Sequence, residues 1–512
     1  MLEQGNPETH RKVDRLAVSR FFSRLFHEEW RWVLYVLFYV LATNVPYWAA
    51  SRWLGLLPLG WFCLEYAAVG LVGLFVPRAI VPCLLLLVVL ADILNGVSKT
   101  YYLTPSECIS NVAFARELST TTLLGIAALL AVVILILAVA ALFPVKLIRG
   151  VHRTLAVVCL AAFIVLAGSI DCLSVIRETG RVPNPFRLET PVDANKFNNY
   201  KNLWVSRYPL IRLEHDEVLF GGKRNASDAF QDDHSPALSA TEQAIRNTRV
   251  TENLEISTKP NLVVIVLESW GLDANPSIRN ALVLPYFHAD LLAHYDVIQG
   301  TVPFNGSTVA AEARELCGNK LGFHIMNIST SESQGCLPDR LASLGYQTMA
   351  LHGMDGSMFS RSTWYEVLGF QDQWFRKQFR KEGLQDCTGA FVGTCDTSIA
   401  QWISQHLEEK SPKPTFVYWV TLNSHLPVPV PPPPSVLTSC SIVPIPSTQA
   451  ALCSWYHLVS NVHESVSKLA MANLSRPTVF VIVGDHAPPF ANPILRSEFS
   501  AGDVPYIILK PH

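Results

Sequence analysis

The chain has 512 residues, of which 50% are apolar and only 16% are charged. It is long enough for two or three domains, but the charged fraction is low for an ordinary soluble protein. The formal net charge of −2 gives no reason to expect a nucleic-acid partner.

Long apolar runs are concentrated in the first third of the chain. They lie near residues 32–50, 54–76, 79–97, 120–144 and 154–176. Each approaches the roughly 20 residues that a helix needs to cross about 30 Å of hydrocarbon. The run from Leu123 to Phe143 contains no charge, which is rare in a soluble helix. We therefore predict a transmembrane domain of five helices at 31–176, after a cytoplasmic segment at 1–30.

Basic residues predict how this domain is oriented. They precede the first span and recur in two later turns: Arg11, Lys12, Arg15, Arg20 and Arg24, then Arg78, then Lys146, Arg149 and Arg153. Such residues favour the cytoplasmic side, so five crossings put everything after residue 177 outside. The first apolar run starts late and is long, which predicts an uncleaved anchor.

The outer part begins with a polar, irregular stretch at 177–258, which we interpret as a juxtamembrane connector with an amphipathic segment near 238–250. From 259 onward, β-rich runs at 261–267, 346–351, 415–422, 478–483 and 505–509 alternate with helical patterns. This rhythm predicts an α/β catalytic domain at 259–512 around a mostly parallel sheet. The proline-rich run at 427–434 predicts a surface loop or polyproline segment.

Six cysteines lie in this outer part: Cys317, Cys336, Cys387, Cys395, Cys440 and Cys453. In an oxidising space, the simplest pairing joins each cysteine to its sequence neighbour: 317 with 336, 387 with 395 and 440 with 453. Six cysteines nevertheless allow 15 pairings. A structural zinc site is the alternative, although no paired C-x-x-C spacing is present.

Acidic residues and a histidine follow two of the predicted strands. Glu268 follows the run 261–267, while Asp485 and His486 follow the run 479–484. Ligands gather at the carboxyl ends of parallel strands, so these side chains can meet. Oxygen and nitrogen ligands together suit zinc or manganese. Structural alternatives are a turn cap for Glu268, a helix cap for Asp485 and a buried histidine for His486.

Thr308 lies among small residues in the segment Gly306 to Glu312, just before a helical pattern at 309–316. A helix start attracts phosphate, and coordination to a divalent cation lowers the pKa of a threonine hydroxyl. These features make Thr308 a candidate nucleophile. The alternatives are a helix N-cap at Thr308 and Ser307 as the nucleophile.

Two more residues fit an anion pocket. His425 follows the strand at 416–422 and could protonate a leaving oxygen or bind phosphate, unless it is an ordinary loop histidine. Arg361, downstream of His352 and Phe359, offers a guanidinium fork for phosphate oxygens, unless it is a surface charge.

Taken in order, these segments resemble the membrane-bound branch of the alkaline phosphatase and sulfatase superfamily. This branch includes lipoteichoic acid synthases and the phosphoglycerol and phosphoethanolamine transferases. The resemblance covers nearly the whole chain: five spans, Glu268 with Ser269, 306–312, 352–361, 423–425 and 484–486. No C-x-P-x-R or S-x-P-x-R context surrounds Thr308, so sulfate-ester hydrolysis by a formylglycine is not expected.

The resemblance implies roles for individual residues. Glu268, Thr308, Asp485 and His486 match the four metal ligands, and Thr308 also matches the nucleophile that becomes phosphorylated. Arg361 and His425 match substrate-contacting positions. Phosphoethanolamine transferases carry a later histidine that can hold a second metal, whereas only His512 follows His486 in this sequence. The resemblance therefore favours one divalent ion, zinc or manganese, with magnesium as a further alternative.

The function implied is transfer of a phosphoethanolamine or phosphoglycerol headgroup from a membrane phospholipid to a cell-envelope glycan or glycolipid. We expect a multi-pass protein of the bacterial cytoplasmic membrane, with its catalytic domain on the periplasmic or extracellular side. The alternatives are a phosphodiesterase or phospholipase C-like hydrolase with the same site, and a membrane sensor or scaffold that has lost catalysis.

Overall fold

The computed structural model of the protein describes residues 30–53, 62–100, 120–179 and 238–512. Short gaps fall at 249, 253, 305, 319–321, 429–449, 491–494, 497 and 501. The predicted cytoplasmic segment, up to residue 29, and most of the predicted connector, residues 180–237, lie outside the described residues. So do most of the proline-rich run and Cys108 and Cys440.

The amino-terminal part is helical. Its α-helices are α1 (Arg31–Val40), α2 (Val45–Trp53), α3 (Leu64–Gly73), α4 (Ile80–Thr100), α5 (Thr120–Leu142) and α6 (Gly150–Thr179). Within the described residues, three helical segments are long and apolar enough to cross a membrane: Arg31–Ala50, Leu123–Leu142 and Gly150–Ile170. Leu64–Gly73 and Ile80–Leu94 are shorter apolar helices. Thus, in the described residues, three of the five predicted spans contain a helical segment of sufficient length.

The surfaces of these helices are apolar. On α5 and α6, Leu124, Ile134 and Val165 each expose about two thirds of their area, at 66%, 66% and 68%. Exposed aliphatic side chains are unfavourable in water and compatible with lipid, so these helices suit a membrane anchor. Inside the bundle, the Tyr35 hydroxyl donates to the Gly70 carbonyl at 2.6 Å, which ties α1 to α3.

The part of the chain after residue 238 is an α/β domain, as predicted. Its strands are β1 (Asn261–Leu267), β2 (Tyr295–Pro303), β3 (Gln347–His352), β4 (Asp372–Trp374), β5 (Asp386–Thr388), β6 (Val392–Thr394), β7 (Thr415–Val420), β8 (Thr478–Gly484) and β9 (Asp503–Pro511). Seven of them form one sheet in the order β2-β9-β8-β1-β7-β3-β4. Neighbours from β8 to β4 pair in parallel, whereas β9 is antiparallel to β8 and to β2.

The α-helices of this domain are α7 (Ala240–Asn247), α8 (Pro276–Val283), α9 (Ala289–Leu292), α10 (Thr308–Cys317), α11 (Leu337–Ser343), α12 (Arg361–Val367), α13 (Arg376–Lys381), α14 (Asp396–Glu408) and α15 (Ala450–Ala470). Helix α7 forms within the amphipathic segment near 238–250. It docks through Thr241, whose N–H and hydroxyl donate to Glu315 of α10 at 2.9 and 2.7 Å.

The central strands of the sheet are fully buried, which explains why they could be predicted from the sequence. Every residue of β1, β7 and β8 is buried. Parallel strands covered on both faces have near-continuous apolar runs, here Val, Ile and Leu in β1 and β8 and mainly aromatic residues and Val in β7, which gave the predictions for these three strands. The edge strand β2 was not predicted, because its sequence YDVIQGTVP mixes polar and apolar residues and most of its positions are exposed or half-buried.

Two of the three predicted disulfides are confirmed: Cys317–Cys336 and Cys387–Cys395. Cys453 is also disulfide-bonded. Its predicted partner, Cys440, lies outside the described residues.

A buried histidine connects α15 to the segment before β2. The ring of His463 is fully buried, and its Nδ1 lies 3.0 Å from the Tyr286 hydroxyl. It also packs edge-to-face on Trp270 at a centroid distance of 4.5 Å. Burial lowers the pKa of His463 to about 3.

This depressed pKa predicts a loss of stability in acid. An unfolded histidine titrates near 6.5, so only the unfolded state takes up this proton as the pH falls from about 6.5 to about 3. Within that window the free energy of unfolding falls by about 1.4 kcal/mol for each pH unit of acidification because of His463. We expect His463→Gln to reduce the difference in unfolding free energy between pH 7 and pH 5 by about 2 kcal/mol. Urea unfolding of the detergent-solubilised protein measures this, with exposed His294→Gln as control. An unchanged pH dependence in His463→Gln would contradict it.

Candidate active site

The register between β1 and β8 brings the first two predicted residues together. The strands are parallel neighbours, and Leu267 pairs with Gly484 at their carboxyl ends. The next residues, Glu268 and Asp485, therefore emerge side by side at the same edge of the sheet. Both are buried, at 3% and 1% exposure.

The hydroxyl of Thr308 lies between these carboxylates. Its Oγ1 is 3.1 Å from Glu268 Oε2 and 2.9 Å from Asp485 Oδ2. It is also 3.5 Å from His486 Nε2. The structure thus brings all four predicted residues into one buried cluster, which we call the Thr308 cluster: Glu268, Thr308, Asp485 and His486.

Hydrogen bonds to the backbone orient the side chains of Asp485 and His486 in this cluster. Asp485 Oδ1 accepts from the N–H groups of Ser269 and His486 at 2.7 and 2.6 Å, which leaves Oδ2 facing Thr308. His486 Nδ1 lies 3.0 Å from the Ala487 carbonyl. A carbonyl only accepts, so Nδ1 carries the proton, and in the neutral ring Nε2 presents a lone pair to the cluster.

These side chains suit a divalent cation. Ligand atoms of Glu268, Asp485 and His486 all lie within 4.8 Å of one another, and the three residues are buried. Burial first, and then the neighbouring Asp485 carboxylate, raise the pKa of Glu268 well above its ordinary value. Two carboxylates and a nitrogen lone pair facing one point are costly without a positive charge between them, so this donor set fits a bound cation.

Helix α10 holds Thr308 at its first residue. Ser307 is the N-cap, so the interpretation of Thr308 as an N-cap is wrong. Among the described residues, the buried Ser307 hydroxyl has no hydrogen-bond partner and does not cap the helix. The geometry therefore favours Thr308 over Ser307 as the hydroxyl directed at the carboxylates.

Arg361 is buried at 2% exposure and is not a surface charge. It begins α12, directly after Phe359 and Ser360, whose φ angles of 54° and 55° are left-handed. Its Nε and Nη2 donate to Glu312 Oε1 at 2.9 and 2.7 Å, while the Tyr365 hydroxyl donates to Glu312 Oε2 at 2.5 Å. The third nitrogen, Nη1, is buried without a hydrogen-bond partner in the described part of the chain.

His425 follows β7 and is partly buried. Its Nδ1 lies 2.7 Å from the Leu426 carbonyl, and its ring packs edge-to-face on Phe391 at 4.8 Å. Burial first, then the charge of His486, lowers the pKa of His425 to about 4. The imidazole is therefore neutral at neutral pH and lies close enough to the Thr308 cluster to interact with it electrostatically.

Several residues around the site were not predicted from the sequence. His352 ends β3 at the same edge, and burial followed by the charge of Arg361 lowers its pKa to about 3. Glu312 lies one helical turn after Thr308 on α10. The strand-end rule could have identified His352, and helical i,i+4 spacing could have identified Glu312. Asp396, which holds the loop of His425, had no such signal.

Among solved structures, 35 chains match this one. A protein in the alkaline phosphatase superfamily from Vibrio parahaemolyticus is 16% identical, with a TM-score of 0.36, over 49% of this chain and 60% of that one. The lipoteichoic acid synthase LtaP from Listeria monocytogenes is 16% identical, with a TM-score of 0.37, over 52% and 71%. The C-terminal periplasmic domain of EcEptC from Escherichia coli, in complex with Zn, is 11% identical, with a TM-score of 0.33, over 51% and 75%.

The chain thus spans only 60% of the length of the Vibrio protein. A search of curated proteins finds no match. The protein-family model described as Sulfatase matches residues 260–512. This range contains the whole seven-stranded sheet and all four residues of the Thr308 cluster. The similarity of this chain to the sulfatase family therefore lies in residues 260–512.

Proposed function

We propose that the protein transfers a phosphoethanolamine or phosphoglycerol headgroup from a membrane phospholipid to a hydroxyl of a cell-envelope glycan or glycolipid. The observation that carries this proposal is the position of Thr308 Oγ1, 2.9 Å from Asp485 and 3.1 Å from Glu268 at the edge of the sheet. The resemblance of the site residues to membrane-bound transferases supports the same reaction.

Glu268, Thr308, Asp485 and His486 are the proposed ligands of one divalent cation, zinc or manganese, with magnesium as the alternative. A cation bound there lowers the pKa of the threonine hydroxyl and neutralises charge on the phosphoryl oxygens. The hydrogen bonds from Ser269 and from the peptide N–H of His486 keep Asp485 in place when the site changes its charge. The Ala487 carbonyl does the same for the His486 ring.

Thr308 is the proposed nucleophile of a two-step transfer. In the first step its oxygen bonds to phosphorus, the bond from phosphorus to the diacylglycerol oxygen breaks, and the headgroup phosphate remains on Thr308. In the second step an acceptor hydroxyl attacks the same phosphorus, and the bond to Thr308 breaks. Helix α10 begins at this residue, so its amino-terminal end favours the added phosphate.

Arg361 is the proposed partner of the phosphoryl oxygens. Glu312, which also accepts from the Tyr365 hydroxyl, fixes one side of the guanidinium, and the buried Nη1 is the nitrogen that remains to donate. Because Glu312 lies four residues after Thr308 on the same helix, the nucleophile and the guanidinium are held at a fixed spacing. Preorganised donors of this kind stabilise charge in the transition state at little cost in reorganisation.

His425 is the proposed proton carrier. Its ring is neutral at neutral pH, so in the second step it can accept the proton of the acceptor hydroxyl. A bound phosphate anion raises the pKa of a nearby imidazole, because negative charge favours the protonated form. Donor binding would then supply the proton that the diacylglycerol oxygen takes up as it leaves.

The amino-terminal helices support a membrane location for this reaction. We propose five crossings within residues 31–176, a cytoplasmic segment at 1–30, a connector at 177–258 and a catalytic domain at 259–512 on the periplasmic or extracellular side of a bacterial cytoplasmic membrane. Anchoring keeps the catalytic domain near lipid headgroups, which raises their effective concentration at the site.

The nucleophile is tested by substituting the two neighbouring hydroxyls. We expect Thr308→Ala to abolish headgroup transfer and the covalent adduct, Thr308→Ser to retain part of both, and Ser307→Ala to keep the adduct. Mass spectrometry of the peptide containing Thr308, after incubation with phospholipid vesicles, measures the adduct, and its added mass distinguishes phosphoethanolamine from phosphoglycerol.

Normal turnover in Thr308→Ala would reject this nucleophile, and loss of the adduct in Ser307→Ala alone would assign Ser307 instead. A modified acceptor indicates transfer. Free headgroup as the only product would instead indicate the hydrolase.

The anchored guanidinium is tested at both of its ends. We expect Arg361→Lys and Glu312→Gln each to lower kcat/KM by about 10²- to 10³-fold, since each removes a preorganised, buried donor arrangement. Arg376→Lys is the matched control, because the Arg376 guanidinium pairs at 2.8 Å with Asp386, which does not belong to the Thr308 cluster. Steady-state kinetics of donor cleavage measures the effect. Activity of the wild-type level in Arg361→Lys would contradict the assigned role.

Metal dependence is tested by removal and by direct binding. We expect a chelator to abolish activity, and zinc or manganese to restore it. Calorimetry should show one site per chain, with affinity reduced at least about tenfold in Glu268→Gln and Asp485→Asn. Exposed Glu332→Gln should bind metal like the unmodified protein. Full activity after verified metal depletion would exclude the proposed mechanism.

A further inference from the structure

The turn that carries His425 is held from outside by a buried carboxylate. Asp396 begins α14 and is 2% exposed. Its carboxylate accepts from the N–H of Leu422 at 3.0 and 3.1 Å and from the N–H of Asn423 at 2.7 Å. In return, the Asp396 N–H donates to Asn423 Oδ1 at 2.8 Å. These reciprocal bonds fix the backbone just before His425.

The same turn is fixed on its inner side to the Thr308 cluster. The Ser424 hydroxyl donates to the Glu268 carbonyl at 2.5 Å, and the Thr421 hydroxyl accepts from the Glu268 N–H at 2.9 Å. The His425 N–H closes the turn onto the Leu422 carbonyl at 3.1 Å. Residues 421–425 are thus clamped between Asp396 and Glu268.

An aspartate in the first turn of a helix usually stabilises that helix itself. Asp396 differs, because the N-cap is Cys395 and the Asp396 carboxylate accepts from the N–H groups of Leu422 and Asn423. Within the described residues, no ion pair involves this buried carboxylate. Burial raises the pKa of Asp396 to about 7. A carboxylate kept in so unfavourable a place points to a need for its acceptor geometry.

The segment before Asp396 is itself rigidly held. Cys395 is bonded to Cys387 across the β5–β6 hairpin, and its N–H donates to the Gln385 carbonyl at 3.0 Å. The preceding Thr394 N–H donates to the carbonyl of Gly353, the residue after His352, at 2.8 Å. The hairpin also carries Phe391, whose ring packs on His425. Asp396 therefore connects the turn at 421–425 to a rigid part of the fold.

We propose that Asp396 is a positioning residue, which fixes the turn at 421–425 so that the His425 imidazole faces the phosphoryl site. This inference rests on the proposed transfer reaction and adds to it a residue that does not touch the substrate. It predicts that Asp396 acts on the reaction chiefly through His425, since the Glu268 side of the turn is held by its own bonds to Thr421 and Ser424.

The test is a double-mutant cycle on the full-length protein in vesicles of phosphatidylethanolamine and phosphatidylglycerol, with diacylglycerol release as the measured reaction. We expect Asp396→Asn to lower kcat about 10- to 100-fold with little change in KM. The double variant Asp396→Asn with His425→Asn should be no slower, within about threefold, than His425→Asn alone. Losses that multiply in the double variant would overturn the inference.

Two controls separate positioning from general damage. Asp386→Asn, on the same hairpin but paired with Arg376, should react like the unmodified protein. Asn423→Ala removes only the bond from the Asp396 N–H to the Asn423 side chain, so this variant should fold. Its kcat should fall less than that of Asp396→Asn, and the fall should be absent when His425→Asn is also present. Should Asp396→Asn lower the melting temperature while its folded fraction keeps the normal kcat, Asp396 is merely structural and the inference fails.

Hydrogen exchange distinguishes this failure from failure of the proposed function. The amides of Leu422 and Asn423 should exchange at least about tenfold faster in Asp396→Asn, whatever reaction the protein catalyses. Unchanged exchange would overturn the inference. Faster exchange in a protein whose unmodified form releases no diacylglycerol would instead reject the proposed function while retaining the fixed turn.

Discussion

Two acidic side chains are forced together by the pairing of β1 with β8, and the chemistry of the site depends on this pairing. The strands run parallel in register, so Glu268 and Asp485 leave the sheet at one level. Both are buried with carboxylate oxygens within 4.8 Å of each other, and like charges at this distance destabilise each other. The domain tolerates this repulsion at one edge of the sheet because the buried apolar residues of the seven strands stabilise the rest of the fold.

Helix α10 connects most of the parts that surround these carboxylates. Its first residue, Thr308, meets Glu268 and Asp485, and one turn later Glu312 binds Arg361. Half a turn further, Arg314 donates to the Gly484 carbonyl at 2.8 Å, directly before Asp485. Arg314 is in turn paired with Glu315, which anchors α7. One short helix thus sets the relative positions of the hydroxyl, the guanidinium and the acidic strand end.

The sequence was informative wherever a local pattern determined the structure. The buried apolar strands β1, β7 and β8 were predicted, and the polar residues at their carboxyl ends were therefore predicted to meet. It was uninformative where tertiary pairing decides the outcome. The sequence does not specify that β8 lies beside β1, or that Arg361 is neutralised by a glutamate 49 residues away. The short strands β4, β5 and β6 have three residues each and no usable periodicity.

Backbone strain shows that the site geometry is imposed by the surrounding fold. Among the described residues, the non-glycine residues with positive φ are Ser269, Phe359 and Ser360. The first follows Glu268, and the other two precede Arg361. A left-handed residue of this kind costs about 1–3 kcal/mol and persists only where its surroundings determine it. At Ser269 the strain accompanies an N–H bond to Asp485 and a carbonyl that accepts from Trp455 at 3.0 Å. The buried core therefore holds the acidic residue and the guanidinium in directions that the local chain would not choose, which is the preorganisation that the proposed transfer of a phosphoryl group requires.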